Sequence, residues 1–82
     1  MRFHAGDDKA SMAERGLTFQ MVMDAEVLDF VDHPTRPGQK ILIVEIDGYA
    51  VAAPCKDLGG GDWLIVTAFR NRKYTKHYLP EK

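Results

Sequence analysis

At 82 residues and 45% hydrophobic content, the chain suits one small domain, residues 1–82, and is too apolar for global disorder. Its net charge of −1 excludes a uniformly basic nucleic-acid coat. The single cysteine, Cys55, excludes an intrachain disulfide and a cysteine-rich metal site. No apolar run approaches the roughly 20 residues of a membrane span, and none after Met1-Arg2 reads as a signal peptide. A cytoplasmic protein without membrane contact is the expectation.

The small net charge conceals an asymmetry. Residues 1–68 hold six Lys and Arg against eleven Asp and Glu, whereas residues 69–82 hold five cations and one acid, Glu81. Local positive charge suffices for a catalytic or docking patch.

Met1–His4 reads as a short edge strand or an arm. Asp7 or Asp8 caps a helix running through Ser11–Glu14, and Gly16 suits the position just past its end. Thr18 caps a second helix. Phe19, Val22, Met23 and Val27 form its apolar stripe, and its end is expected between Glu26 and Leu28. Leu28–Asp32 fits either a short strand or a last helical turn. His33–Gly38 holds two prolines and a glycine and is a loop.

Lys40–Ile46 reads as a strand. Asp47-Gly48 predicts a two-residue type I′ hairpin turn, with Tyr49–Ala53 returning. Pro54 is expected to end that strand's ladder or to mark an edge, and Cys55–Gly61 to form a flexible connection. No GKS or GKT follows the three glycines, so a hairpin turn is preferred to a phosphate-binding loop. Trp63–Phe69 is rich in β-branched and aromatic residues and reads as one core strand. The fold class is α+β: two N-terminal helices packed on an antiparallel sheet of three to four strands, then a short C-terminal basic segment. Lys40–Ile46 is apolar on both faces. It is therefore expected to be a central strand, or to have its second face covered by the C-terminal segment or a partner.

His4, Asp7 and Asp8 match no metal-ligand spacing, and no cofactor is implied. Cys55 follows a proline in a predicted loop, with no base placed beside it. The chemistry concentrates at Arg70, Arg72, Lys73, Tyr74, Lys76, His77 and Tyr78. Arginine holds phosphate bidentately, lysine adds point charge, and tyrosine stacks on bases. Metal-free RNA cleavage needs an acid, a base and cations. His4 or His77 suits proton transfer, Arg72 and Lys73 charge stabilisation, and Thr67 a hydrogen bond. Arg70, Tyr74, Lys76, His77 and Tyr78 are the substrate-binding candidates. Equally, Tyr74 and Tyr78 at four-residue spacing pack a last helix onto the sheet, and the cations are solvated.

The segment from His4 to Phe19 resembles the opening of BrnT-like toxins, at Asp7, Lys9, Ala10, Arg15, Gly16, Leu17 and Phe19. Leu64–Ala68 followed by Arg70, Arg72 and Lys73 resembles the last strand and arginine-rich end of those toxins. It also resembles the wider RelE/ParE and barnase-like ribonuclease grouping. This resemblance implies a metal-independent ribonuclease toxin, RNA as substrate and an antitoxin as partner. Arg70, Arg72 and Lys73 match the family's basic positions. The middle strands depart from the pattern, with only Lys40 and Lys56 nearby. A non-catalytic nucleic-acid-binding or protein-interaction module of the same fold is the alternative, and either is compatible with a homo-oligomer.

Overall fold

A computed structural model describes residues 1–81. The order is β1 (Arg2–Ala5), α1 (Lys9–Glu14), α2 (Phe19–Asp24), β2 (Glu26–Asp32), β3 (Gln39–Ile46), β4 (Tyr49–Gly59), β5 (Asp62–Ile65), β6 (Phe69–Arg70) and α3 (Arg72–Tyr78). The α+β class holds, but the sheet has six strands rather than three or four. Its order is β1-β5-β4-β3-β2, with β6 also on β4. It is mixed rather than purely antiparallel, because β1 runs parallel to β5.

Local chemistry explains the helices. Thr18 accepts from the Met21 amide at 3.1 Å and starts α2. Asp8 sits at the α1 N-cap, and its shortest side-chain bond is to the Thr67 hydroxyl at 2.6 Å. Gly16 takes φ 73°, and the Gly16 and Leu17 amides donate to the Ala13 and Met12 carbonyls, closing α1. The second helix ends at Asp24, short of the expected Glu26–Leu28. Ala25 is extended, and Val27 pairs with Val44. Sheet pairing there overrides the helical spacing of the apolar residues.

The Asp47-Gly48 turn has positive φ at both residues, 52° and 81°, as a type I′ turn requires. Contrary to expectation, β4 does not stop at Pro54; Cys55–Gly59 is strand, not a flexible connection. Counting from the Ile46–Tyr49 pair at the turn, the Pro54 nitrogen faces away from β3. The lost donor therefore falls on the β5/β6 side. There the predicted Trp63–Phe69 strand splits into β5 and β6. The Pro54 carbonyl still accepts from Val66 at 2.9 Å, but residues 66–68 leave the ladder.

Residue alternation divides the core. Leu42, Val44, Val51, Ala53 and Ile65 face α1 and α2, where Met12, Leu17, Phe19 and Val22 are buried. Ile41, Ile43, Ala50 and Ala52 face Tyr74 and Tyr78 of α3. The second apolar face of β3 is thus covered by the C-terminal segment, which folds as a helix. Asn71 caps α3 by accepting from the Tyr74 amide at 3.0 Å. Thr75 accepts from the Ala50 amide at 2.9 Å, so α3 also satisfies the upper edge of β4. No helix among the described residues is long and apolar enough to cross a membrane.

Candidate nucleic-acid interface

The seven residues of α3 cover only the hairpin end of their face of the sheet. The opposite end stays open as a groove of about 420 Å³, lined by His33, Thr35, Arg36, Gln39, Pro54, Lys56, Val66, Thr67 and Phe69. Two cations and an imidazole line it, and no carboxylate among the described residues does. Phe69 is opposite Ala52, on the α3 face, and is 36% exposed.

A rigid turn presents the main cation. The Gln39 amide donates to the Arg36 carbonyl at 3.2 Å across Pro37 and Gly38, and Gly38 has φ 79°. That is the chemistry of a type II turn: proline presets the first corner and glycine accepts the second. The His33 amide donates to the Gln39 carbonyl at 3.0 Å, closing the loop at its base. The Thr35 amide donates to His33 Nδ1 at 3.2 Å. An accepting Nδ1 leaves the proton of neutral His33 on Nε2, as a hydrogen-bond donor.

The residues singled out from the sequence do not gather as expected. His4 is on the outer strand β1, with Nε2 3.1 Å from Asp62 Oδ1, and Arg2 reaches the same carboxylate at 3.7 Å. His4 pairs with Leu64, which pairs with Lys56, whereas α3 starts beside Ala50. Six residues along a strand is roughly 20 Å, before two strand spacings are added. His4 and Arg72 therefore do not share a site.

Thr67 lines the groove, but its hydroxyl proton goes to Asp8 Oδ2 at 2.6 Å, and Arg15 donates to it at 3.2 Å. Arg15 also donates to the Ala68 carbonyl at 3.1 Å, and Arg70 donates to the Arg15 carbonyl. Arg70 is thus turned to the α1 face, tying α1 to the irregular segment between β5 and β6. The Thr67 hydroxyl, with Ser11 next, holds the Asp8 carboxyl below its ordinary value.

Arg72, Lys73, Lys76 and His77 are exposed along α3, and none of them enters an ion pair among the described residues. Tyr74 and Tyr78 pack α3 on the sheet, with ring centroids 6.1 Å apart. Tyr78 donates to Asp29 Oδ2 at 2.7 Å. That bond holds Asp29 below its ordinary 3.8 and lifts Tyr78 above its ordinary 10.0.

A two-sided pH dependence follows. The depressed Asp29 value adds stability above pH 3.8 that is lost as pH falls through its folded value. The raised Tyr78 value adds stability below pH 10.0 that is lost as pH rises through its folded value. Urea unfolding of wild type and Tyr78→Phe is expected to differ most near neutral pH and to converge at both extremes. A difference independent of pH would contradict the bond.

Cys55 is not in an exposed loop. It is buried in β4, its thiol donates to the Ala53 carbonyl at 3.2 Å, and desolvation pushes its pKa up to about 11. A thiol so protonated is no nucleophile near neutrality. No group of three His, Cys, Asp or Glu side chains among the described residues is placed to hold a metal ion.

Among the groove residues, His33, Arg36, Gln39, Lys56 and Phe69 carry chemistry that the chain's pattern did not single out. The available signal was the His-Pro-Thr-Arg-Pro-Gly loop itself, where two ring-fixed positions hold His33 and Arg36 in place. Lys56 becomes visible only once β4 is carried through Pro54.

No protein-family model matches the chain, and no curated protein matches it. Among solved structures, it is similar to the Brucella abortus ribonuclease toxin BrnT, at 20% sequence identity and a TM-score of 0.50. The match covers 87% of this chain and 96% of that one. The chain therefore shares a fold with BrnT.

Proposed function

We propose that the protein is a metal-independent ribonuclease of the toxin type, acting through the open end of its α3 face. The observation that carries the reading is the groove of His33, Arg36, Lys56 and Phe69, cationic and free of carboxylates, on a fold shared with a ribonuclease toxin. Arg36 takes a phosphate bidentately, Lys56 adds charge, and His33 donates from Nε2 to a phosphoryl oxygen. Phe69 offers a stacking surface to one base. Arg72 and Lys73, three and four residues beyond Phe69, supply an outer positive rim, with Lys76 and His77 further along α3. A toxin of this kind would be held in check by an antitoxin, as the sequence resemblance implies, in the cytoplasm.

One observation favours a second reading. Cleavage needs a base for the 2′-hydroxyl, yet His33 Nδ1 already accepts the Thr35 amide. Any base must come from outside the residues lining the groove, or the groove binds RNA without cutting it. The experiment is incubation of the purified chain and of Lys56→Ala with RNA in excess chelator. Cleavage by wild type, slowed about tenfold in Lys56→Ala, is the expected result. Binding without cleavage would select the second reading, and neither would reject both.

A further inference from the structure

The His33–Gly38 loop has a second hollow on its other side. It measures about 420 Å³, and Trp63, Asp57, Lys40 and Arg36 are among its lining residues. His33, Arg36 and Gln39 line both hollows, so the two adjoin at the loop.

The chemistry of this second hollow differs from that of the groove. Asp57 and Trp63 are direct cross-strand partners on β4 and β5, so carboxylate and indole stand side by side. Trp63 is half-buried and braced edge-on against Phe30, with centroids 5.1 Å apart. Asp32 is neutralised by Lys40 at 3.0 Å. Asp57 has no ion pair among the described residues; its Oδ1 accepts the Gly59 amide at 2.8 Å, which fixes the carboxylate's direction. A free carboxylate repels phosphate but accepts hydrogen bonds from a base edge. Guanine presents two neighbouring donors, N1–H and the N2 amino group, that match two carboxylate oxygens. Adenine and cytosine each set a ring acceptor beside their amino donor, and uracil flanks its one donor with carbonyls.

We propose that the Trp63–Asp57 hollow is a guanine subsite, adjoining the phosphate groove across the His33–Gly38 loop. The indole stacks on the base, and Asp57 accepts from its Watson–Crick edge. That the guanine belongs to RNA rests on the function proposed above; the base recognition itself does not.

Trp63 is the chain's sole tryptophan, so its fluorescence reports the site directly. Titration with 5′-GMP is expected to quench it at lower concentration than 5′-AMP or 5′-CMP. Asp57→Asn keeps an oxygen for the Gly59 amide but sets a donor against guanine's donors. It is expected to weaken GMP about tenfold and leave AMP unchanged. Absence of GMP quenching, or equal weakening of GMP and AMP, would overturn the subsite. Anisotropy of a labelled oligocytidylate, which needs only the groove, separates the two claims. Its binding without GMP quenching removes the subsite and keeps the groove. GMP quenching without its binding supports the subsite and removes the groove.

Discussion

Arg36→Ala is expected to lower RNA cleavage by about 10²–10³-fold, the scale of removing one well-placed donor to a charged transition state. Arg36 is the cation that lines both hollows, and the Pro37-Gly38 turn holds its backbone. Little backbone entropy is then lost when the guanidinium meets phosphate, and the cost that remains is the ordering of the side chain itself. The variant removes no buried contact, since Arg36 is exposed, so the fold should remain. Arg36→Lys is expected to recover only part of the activity, because an ammonium keeps the charge but loses the planar fork. Single-turnover cleavage of a short RNA by the three proteins is the measurement, with far-UV circular dichroism as the check on folding. Undiminished activity in Arg36→Ala would remove the groove from the mechanism.

Ile43→Ala is expected to cost about 2–5 kcal/mol, as for other buried large-to-small changes. A chain of this size has roughly 4–12 kcal/mol in all, so this one change should leave a sizeable fraction unfolded. Ile43 is fully buried on the central strand β3. It packs in the small core where Tyr74 and Tyr78 seat α3. Ala50 and Ala52 are its neighbours in that core, and neither is long enough to fill the void. Urea denaturation read by circular dichroism measures the loss. A cost under about 1 kcal/mol would mean that α3 is not anchored there.

The parts of the fold legible in the sequence were those set by local chemistry. The Thr18 hydroxyl, Gly16 and the Asp47-Gly48 turn each act on the backbone within a few residues, and each took its expected place. The two-faced apolar pattern of β3 pointed to a central strand or a covered second face, and β3 is both, flanked by β2 and β4 and packed under α3. What was not legible depends on pairing across the sheet. Val27 fits a helical stripe as well as a strand, and only its pairing with Val44 decides between them. Pro54 reads as a ladder end or an edge until its nitrogen is known to face the gap between β5 and β6. The parallel pairing of β1 with β5 joins residues about sixty positions apart and leaves no local trace.

The candidate site shows the same division. Clustering in sequence points to Arg70–Tyr78, but folding splits that cluster and leaves Arg72, Lys73, Lys76 and His77 exposed along α3. Arg70 turns to the Arg15 carbonyl, Tyr78 to Asp29, and Arg72 and Lys73 to solvent. The groove instead assembles one loop, the far half of β4 and the residues from Val66 to Phe69. Its positive character comes from Arg36 and Lys56, isolated cations in the acidic part of the chain. Their sign is uniform only where the fold brings them together.

The location of the RNA site is the central claim, and amide chemical-shift mapping with a short single-stranded RNA tests it most directly. Titration is expected to move the amides of His33–Lys40, Lys56 and Val66–Phe69, with the rim at Arg72 and Lys73 responding more weakly. Shifts confined to β1 around His4, or to α1 and α2, would contradict the account.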